Sequence, residues 1–244
     1  MAAVYERNHL DNVICRADFP VVLRLGSESP AVFQEKLASL FPRTSEGVVL
    51  EAEMPGGALQ NATLKQPITR WEFATRDGAT RVLLQRDFLI VSTEKYSHFG
   101  NFLGFVEAAF KTLIEVYPIT VITRLGLRYQ NELLTPGNPT DLNGYLDDAL
   151  VAHLAFNHGG QLTQEKHALW FDRAGIHVIL NYGLSNPDFP GPIRESRVVL
   201  DVDCFIRDVL DPRETLGRLK QLNEEATDVF ERCIGEKWRN TMHD

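Results

Sequence analysis

Cysteine is scarce in this chain, and the signatures of several common enzyme classes are missing. The 244 residues include only three cysteines, Cys15, Cys204 and Cys233, too few and too scattered for a disulfide framework or a four-thiolate zinc site. The sequence also lacks a glycine-rich phosphate-binding turn, a Rossmann fingerprint and a nucleophile elbow. These absences argue against nucleotide hydrolysis and acyl transfer by the usual motifs, and the cysteine usage fits a reducing cytoplasm.

Long hydrophobic runs and an excess of basic residues are lacking as well. No apolar run approaches the about 18–20 residues of a membrane span, and the first residues are acidic and polar where a signal peptide has its apolar core. Lys and Arg number 25 against 33 Asp and Glu, which gives a net charge of −8. We therefore expect a cytoplasmic protein with no membrane partner and without the basic surface of a general nucleic-acid coat.

What the sequence does contain is a succession of short strand patterns interrupted by two long helical patterns. The strongest local signal is the Asp-Gly pair within 76–79, which predicts a hairpin between 68–73 and 80–86. Further strands are predicted at 19–25, 48–54, 88–93, 120–134, 161–171, 176–182 and 197–206, short helices at 32–41 and 142–150, and long amphipathic helices at 97–116 and 211–233.

These elements predict an α+β fold made of two related modules. Each module is expected to be an antiparallel meander sheet covered by one long helix, because each long helical pattern follows a hairpin. Weak similarity between 81–87 and 197–203 suggests an internal duplication. The break at Pro136 divides the chain into modules 1–136 and 137–244, which can also form one compact unit.

The most informative segment is the strand Arg124-Leu-Gly-Leu-Arg-Tyr-Gln-Asn131. Because side chains alternate along a strand, Leu125, Leu127 and Tyr129 are predicted on the core side, with Arg124 and Arg128 on the other. Two guanidinium groups on one face, with Gly126 leaving space between them, can grip a phosphate, a carboxylate or an RNA backbone. Further arginines enlarge this patch if their strands pair alongside: Arg70, Arg81 and Arg86.

Two aspartates compete with that interpretation. Asp201 and Asp203 share one face of another predicted strand and can pair with Arg124 and Arg128 across the sheet, which would neutralise the arginines. Three readings of these four residues stay open from the sequence: a structural ion-pair network, an anion-binding site, or a divalent-metal role for the aspartates.

The histidines offer no convincing metal pattern. His153 and His158 are five residues apart, a spacing that does not share a helix face, and His167 follows in a hairpin. His167 and His177 are expected to be cross-strand packing neighbours in that hairpin. We predict no bound metal and no cofactor.

Three landmarks together resemble one known family. They are the R-L-G-L-R-Y-x-N strand at 124–131, the segment Leu200-Asp-Val-Asp-Cys-Phe205 before a terminal helix that contains Phe230, and Tyr96-Ser-His-Phe99 at the start of the central helix. The family is a sporadically distributed, uncharacterised prokaryotic family of about this size, and the similarity spans nearly the whole chain. This chain departs from the usual pattern at Cys204 and Gln130, neither of which changes the arginines or aspartates.

The resemblance implies a patchily distributed cytoplasmic protein of a mobile-element or defence-type system, and it transfers no catalytic residue. We therefore expect a non-catalytic binding or assembly protein that recognises an anionic ligand or a protein partner, a homodimer included, through the arginine-bearing face. The alternative is an RNA- or nucleotide-acting enzyme in which Arg124 and Arg128 hold phosphate while a histidine or Asp201 and Asp203 carry the chemistry.

Overall fold

A computed structural model of the chain describes residue 5 and residues 7–49, 52–53, 63–64, 68–138, 140–156 and 159–243. The strands are β1 (Leu10–Asp18), β2 (Arg43–Val49), β3 (Ala52–Glu53), β4 (Thr63–Leu64), β5 (Ile68–Ala74), β6 (Thr80–Gln85), β7 (Phe88–Thr93), β8 (Arg124–Thr135), β9 (Glu165–Arg173), β10 (Ile176–Ser185) and β11 (Ser196–Ile206). The α-helices are α1 (Leu23–Ser27), α2 (Ala31–Leu37), α3 (Phe99–Val116), α4 (Asp148–Val151), α5 (Thr215–Cys233) and α6 (Glu236–Thr241), with 3-10 turns at Ala152–Ala155 and Pro212–Glu214.

Nine of the strands form one antiparallel sheet in the order β2-β5-β6-β7-β1-β8-β11-β10-β9, and β3 pairs with β4 separately. The expected α+β fold with an antiparallel sheet is confirmed. The sheet runs without interruption across the expected module boundary, because β1 pairs with β8 at its centre, with Ile14 opposite Arg128.

A three-stranded meander precedes each long helix. β5, β6 and β7 precede α3, and β9, β10 and β11 precede α5. The last strand of each meander pairs with a central strand, β7 with β1 and β11 with β8. The similar segments 81–87 and 197–203 do not occupy matching places, because the first covers most of β6, the middle strand of its meander, while the second lies in β11, the last.

The hydrophobic core lies between one face of the sheet and the long helices. Because side chains alternate along a strand, a row of apolar side chains lies on this face of the sheet, and α3 and α5 pack over this row. We call it the helix face, defined by Val13, Cys15, Ala17, Leu125, Leu127, Val202 and Cys204. The opposite side, the polar face, carries Arg16, Asp18, Arg124, Arg128, Asp201 and Asp203.

The two long helices begin where the sequence provides caps. The ring of His98 accepts a hydrogen bond from the backbone N–H of Asn101, and α3 ends at Val116, two residues before Pro118. Asp211 accepts a hydrogen bond from the N–H of Arg213 at the turn that leads into α5. None of the described helices combines the length and the apolar composition needed to cross a membrane.

The first predicted strand is wrong. Residues 19–25 do not form one, because Pro20 has no N–H for a ladder and the chain turns there into α1. The first strand is instead β1, whose buried Val13, Cys15 and Ala17 alternate with more exposed residues.

Two further predicted elements are displaced. The strand expected at 48–54 lies earlier, as β2, followed by the short β3, and residues 50, 51 and 54 lie outside the described residues. The helix expected at 142–150 is only α4, since Leu142 and Leu146 are buried in turns before it and Leu146 bridges to Ile234.

Candidate functional site

The two arginines of the β8 motif are paired with two aspartates of β11 on the polar face. Arg128 donates from Nε to Oδ1 of Asp201 at 2.7 Å and from Nη2 to Oδ2 at 2.5 Å, so the guanidinium grips both oxygens. Asn181 on β10 donates to the same Oδ2 at 3.2 Å. Arg124 donates a single bond to Asp203 at 3.3 Å. These contacts are those of a structural ion-pair network.

Burial has the largest effect on the pKa values of Arg124 and Asp203, the second pair. Burial raises the pKa of Asp203 even though Arg124 and Arg128 act to lower it, and burial lowers the pKa of Arg124 against the attraction of Asp203. The hydrogen bond from Arg128 to Asp201 instead raises the pKa of Arg128. The Arg128–Asp201 pair is therefore the stronger of the two interactions.

The other candidate arginines lie away from this network. β7 and β1 stand between β6 and β8, so Arg81 is three strands from the β8 arginines, about 14 Å across the sheet. Arg81 itself donates to the carbonyl of Gly78 at 3.0 Å and lies 3.4 Å from Glu94. Arg70 is one strand further out, on β5, and Arg86 follows β6 in the turn to β7. The five arginines do not form one patch.

The opposite side of the same motif strand lines a cavity of about 330 Å³ on the helix face. Tyr129 and Asn131 contribute from β8, and α5, the start of α3 and the N-terminal segment supply the other walls. Aromatic and apolar side chains dominate, with Leu10, Tyr96, Phe99, Phe230 and Met242 beside the amides of Asn8 and Asn223. The cavity combines aromatic and apolar walls with polar side chains, as small-molecule sites do.

Hydrogen bonds fix the polar groups of this cavity. The hydroxyl of Tyr129 donates to Oδ1 of Asn223 at 2.6 Å, and the ring of Tyr96 meets that of Tyr129 edge-on at 5.8 Å. Burial raises the pKa of Tyr129 well above its ordinary value, so the hydroxyl stays protonated. Nδ2 of Asn131 donates to the carbonyl of Leu200 at 3.1 Å. The cavity therefore presents neutral hydroxyl and amide groups in a mainly aromatic wall.

Glu231 lines one side of the cavity and is already bound by other side chains of the protein. Glu231 accepts a hydrogen bond from the hydroxyl of Tyr5 at 2.5 Å and lies 3.3 Å from the guanidinium of Arg239. Burial and the contact with Glu231 raise the pKa of Tyr5 to about 12. The carboxylate charge is balanced within the protein, and the cavity is not a general cation site.

The expected contact between His167 and His177 is wrong. His167 is opposite Tyr182 and His177 is opposite Asp172, so the two imidazoles lie on opposite faces of the hairpin. His153 and His167 instead come together at Glu165, two residues before His167 on the same strand face. His158 lies outside the described residues.

Sequence reasoning missed Tyr129 and Asn131 as cavity residues and Glu165 as the neighbour of two histidines. The Glu-x-His spacing at 165–167, which puts both side chains on one strand face, was an available signal for the second. No family model matches this chain, and none of the curated proteins matches it. The resemblance to the sporadically distributed prokaryotic family stays a prediction.

Proposed function

We propose that this chain is a non-catalytic binding protein whose central cavity holds a small uncharged molecule with an aromatic or aliphatic body. The observation that carries the proposal is the convergence of Tyr129 and Asn131 from β8 with Asn223 from α5 in one aromatic-walled cavity. The most distinctive strand of the sequence thus supports a ligand site on its helix face, while its arginines are engaged on the polar face.

The chemistry of the walls favours this ligand class. The volume of about 330 Å³ falls at the lower end of the roughly 300–1,000 Å³ of small-molecule pockets. Tyr96, Phe99 and Phe230 offer ring faces and edges, while Nδ2 of Asn223, whose Oδ1 accepts from Tyr129, offers a hydrogen bond that orients a hydroxyl or carbonyl. Among the described residues of the lining, the exposed Arg7 carries the one guanidinium, so a charge placed among the aromatic side chains would lose its hydration without a counter-charge beside it.

The N-terminal segment forms one wall of the site. The backbone N–H of Arg7 donates to the carbonyl of Met242 at 3.1 Å, and Nδ2 of Asn8 donates to the carbonyl of Tyr96 at 3.1 Å. These two bonds hold residues 7 and 8 against the cavity, where both contribute to its lining. Both residues are exposed, so they form one wall of a partly open site through which a small molecule can enter.

Saturation-transfer NMR with phenol, benzyl alcohol, indole and cyclohexanol tests the proposal. Ala226 on α5 lines the cavity, so Ala226→Leu fills it, whereas Ala168→Leu makes the same change on the polar face of β9. We expect at least one compound to receive saturation from the wild type and from Ala168→Leu, and several-fold less from Ala226→Leu. Absence of transfer to every compound, or equal transfer in both variants, would overturn the proposal.

We propose a second copy of this chain as the partner at the polar face. Ion pairs such as Arg128–Asp201 and Arg124–Asp203 neutralise this face in a chain of net charge −8, so two copies repel each other least there. Trp170 on β9, opposite Ile179, is 70% exposed and provides an aromatic anchor. An anionic ligand, or the RNA- or nucleotide-acting alternative, would require the arginines to leave Asp201 and Asp203.

Three broader expectations accompany this proposal. An internal duplication stays a prediction; in each half a central strand pairs with the last strand of a meander and a long helix follows. A cytoplasmic location and a place in a mobile-element or defence-type system stay predictions from the cysteine content and the family resemblance.

A further inference from the structure

Two histidines converge on one buried carboxylate at the edge of the sheet. Nε2 of His153 lies 2.7 Å from Oε1 of Glu165, and Nε2 of His167 lies 3.1 Å from the same oxygen. One ligand atom from each of the three residues falls within 4.8 Å of the other two. This cluster is separate from the central cavity, whose lining includes none of the three.

Two elements of the fold supply the cluster, the turn after α4 and the strand β9. Asp147 caps α4 through the N–H of Ala149 at 3.0 Å, and the buried Val151 anchors the turn that carries His153. Glu165 and His167 share one face of β9. Gly183 on β10 permits the close strand contact there, because a Cβ at Gly183 would lie 2.3 Å from the carbonyl oxygen of Glu165.

The ring of His167 is fixed by stacking. It lies parallel to the ring of Tyr182 at 4.9 Å between centroids, and the ring of His153 lies 4.1 Å away on a tilt. Both histidines are therefore oriented by neighbours other than the carboxylate, as the ligands of a preorganised metal site are.

Besides the geometry of the cluster, the uncompensated charge of Glu165 points to a bound cation. Its side chain is only 6% exposed, and the ion pairs of the described residues give it the two imidazoles but no lysine or arginine. Within this part of the chain, Oε2 of Glu165 and Nε2 of His167 are buried without a hydrogen-bond partner. A buried carboxylate with no permanent cation is costly, and an imidazole nitrogen that faces it without a bond adds to the cost.

We propose that His153, Glu165 and His167 bind one Zn²⁺ or similar first-row divalent metal ion per chain. Two imidazole nitrogens and one carboxylate form a ligand set used by zinc, and imidazole disfavours Mg²⁺ and Ca²⁺. Zinc bonds of about 2.0–2.1 Å in a tetrahedron place ligand atoms roughly 3.3 Å apart. The contacts of 2.7 and 3.1 Å to Glu165 need a small expansion, and the two imidazole nitrogens, which lie within 4.8 Å of each other, would adjust to the same spacing. The cation would supply the charge that Glu165 lacks and would bind the unbonded Nε2 of His167.

The three residues supply three ligands, so a water molecule would complete the coordination. The side chains of His153 and His167 are 36% and 32% exposed, which leaves a path for that water between the cluster and the solvent. The aspartates considered from the sequence do not offer an equivalent site, because Arg128 occupies both oxygens of Asp201 and Arg124 contacts Asp203.

Equilibrium dialysis of the untagged full chain against Zn²⁺ after chelator treatment, with metal quantified by mass spectrometry, tests this site. The informative variants are His153→Ala, whose partly exposed ring is removed with little effect on folding, and Glu165→Gln, which keeps the shape and removes the charge. His177→Ala is the matched control, because His177 contacts Asp172 on the polar face. Circular dichroism confirms that each variant is folded.

We expect one Zn²⁺ per wild-type and His177→Ala chain. The dissociation constant should rise at least about tenfold in His153→Ala and in Glu165→Gln. Binding of Co²⁺ should give the visible absorption of a low-coordinate site in the wild type and lose it in His153→Ala. A stoichiometry well below one in the wild type, or equal affinity in wild type and His153→Ala, would show that the cluster is only hydrogen-bonded and would overturn the proposal.

Discussion

Arg128 and Asp201 form a two-bond ion pair between the neighbouring strands β8 and β11, in which one guanidinium meets both oxygens of a nearly buried carboxylate. Arg128→Ala would leave this carboxylate with the amide of Asn181 as its remaining partner. We expect a loss of about 2 kcal/mol in the free energy of unfolding, measured by urea denaturation, because a desolvated charge loses its counter-ion.

Arg16→Ala is the matched control for that loss. Arg16 pairs with Asp18 at 2.6 Å on the same face, but Asp18 is 23% exposed against 6% for Asp201, so we expect a change of about 0.5 kcal/mol. Asp201→Asn in the Arg128→Ala background should recover part of the stability, because it removes the unpaired charge. Equal losses in Arg128→Ala and Arg16→Ala would contradict the structural role of the pair.

Removing one hydroxyl from the central cavity should weaken the protein and its ligand site together. Tyr129→Phe leaves Oδ1 of Asn223 without its donor at 2.6 Å. We expect the free energy of unfolding, measured in urea, to fall by about 1 kcal/mol. We also expect weaker binding of phenol, benzyl alcohol or cyclohexanol, the hydroxyl compounds of the saturation-transfer experiment. Unchanged stability in this variant would mean that Asn223 finds another donor.

The three cysteines should be inert in the folded chain. Burial raises the pKa of Cys15, Cys204 and Cys233 to about 12, so about one thiol in 10⁴ is ionised at pH 8. Because only the thiolate attacks Ellman's reagent, we expect negligible reaction in buffer and rapid release of three equivalents in urea. The slow native rate should rise about tenfold per pH unit up to that pKa, while a fast native phase would contradict the burial.

Substitutions of two adjacent residues on β9 test which face of the sheet forms the dimer. Trp170 lies on the polar face and Leu169 on the helix face, and both are exposed. We expect sedimentation velocity to show a dimer for the wild type and for Leu169→Ala, and a population shifted to monomer for Trp170→Ala. A wild-type monomer at all concentrations, or a dimer unaffected by Trp170→Ala, would contradict docking through the polar face.

Local signals predicted most elements of this fold. The Asp-Gly turn after β5, the apolar spacing of α3 and the alternation of β11 are each set by neighbours within a few residues, and each element lies close to where its pattern predicts it. β1 was missed because the residues that alternate on its buried side, Val13, Cys15 and Ala17, are small, while the more hydrophobic 19–25 contains Pro20.

The candidate sites depended on pairings that no local pattern contains. That Arg128 reaches Asp201, and that Arg81 lies three strands away, follows from the strand order across the whole sheet. Tyr129 was predicted on the core side, and its place in a cavity is decided by α5 and the N-terminal segment. Glu165 meets His153 only because the turn after α4 folds back against β9.

We expect the central pairing of β1 with β8 to form late in folding. Val13 pairs with Thr93, 93 − 13 = 80 residues away, and with Tyr129, 129 − 13 = 116 residues away. Long-range antiparallel pairings of this kind close large loops before they gain contacts, so they form slowly. During synthesis, a chain that ends near residue 136 would carry β8 with one of its long edges still open. Only the arrival of β11 covers that edge, so the second half of the chain protects the first from association with other strands.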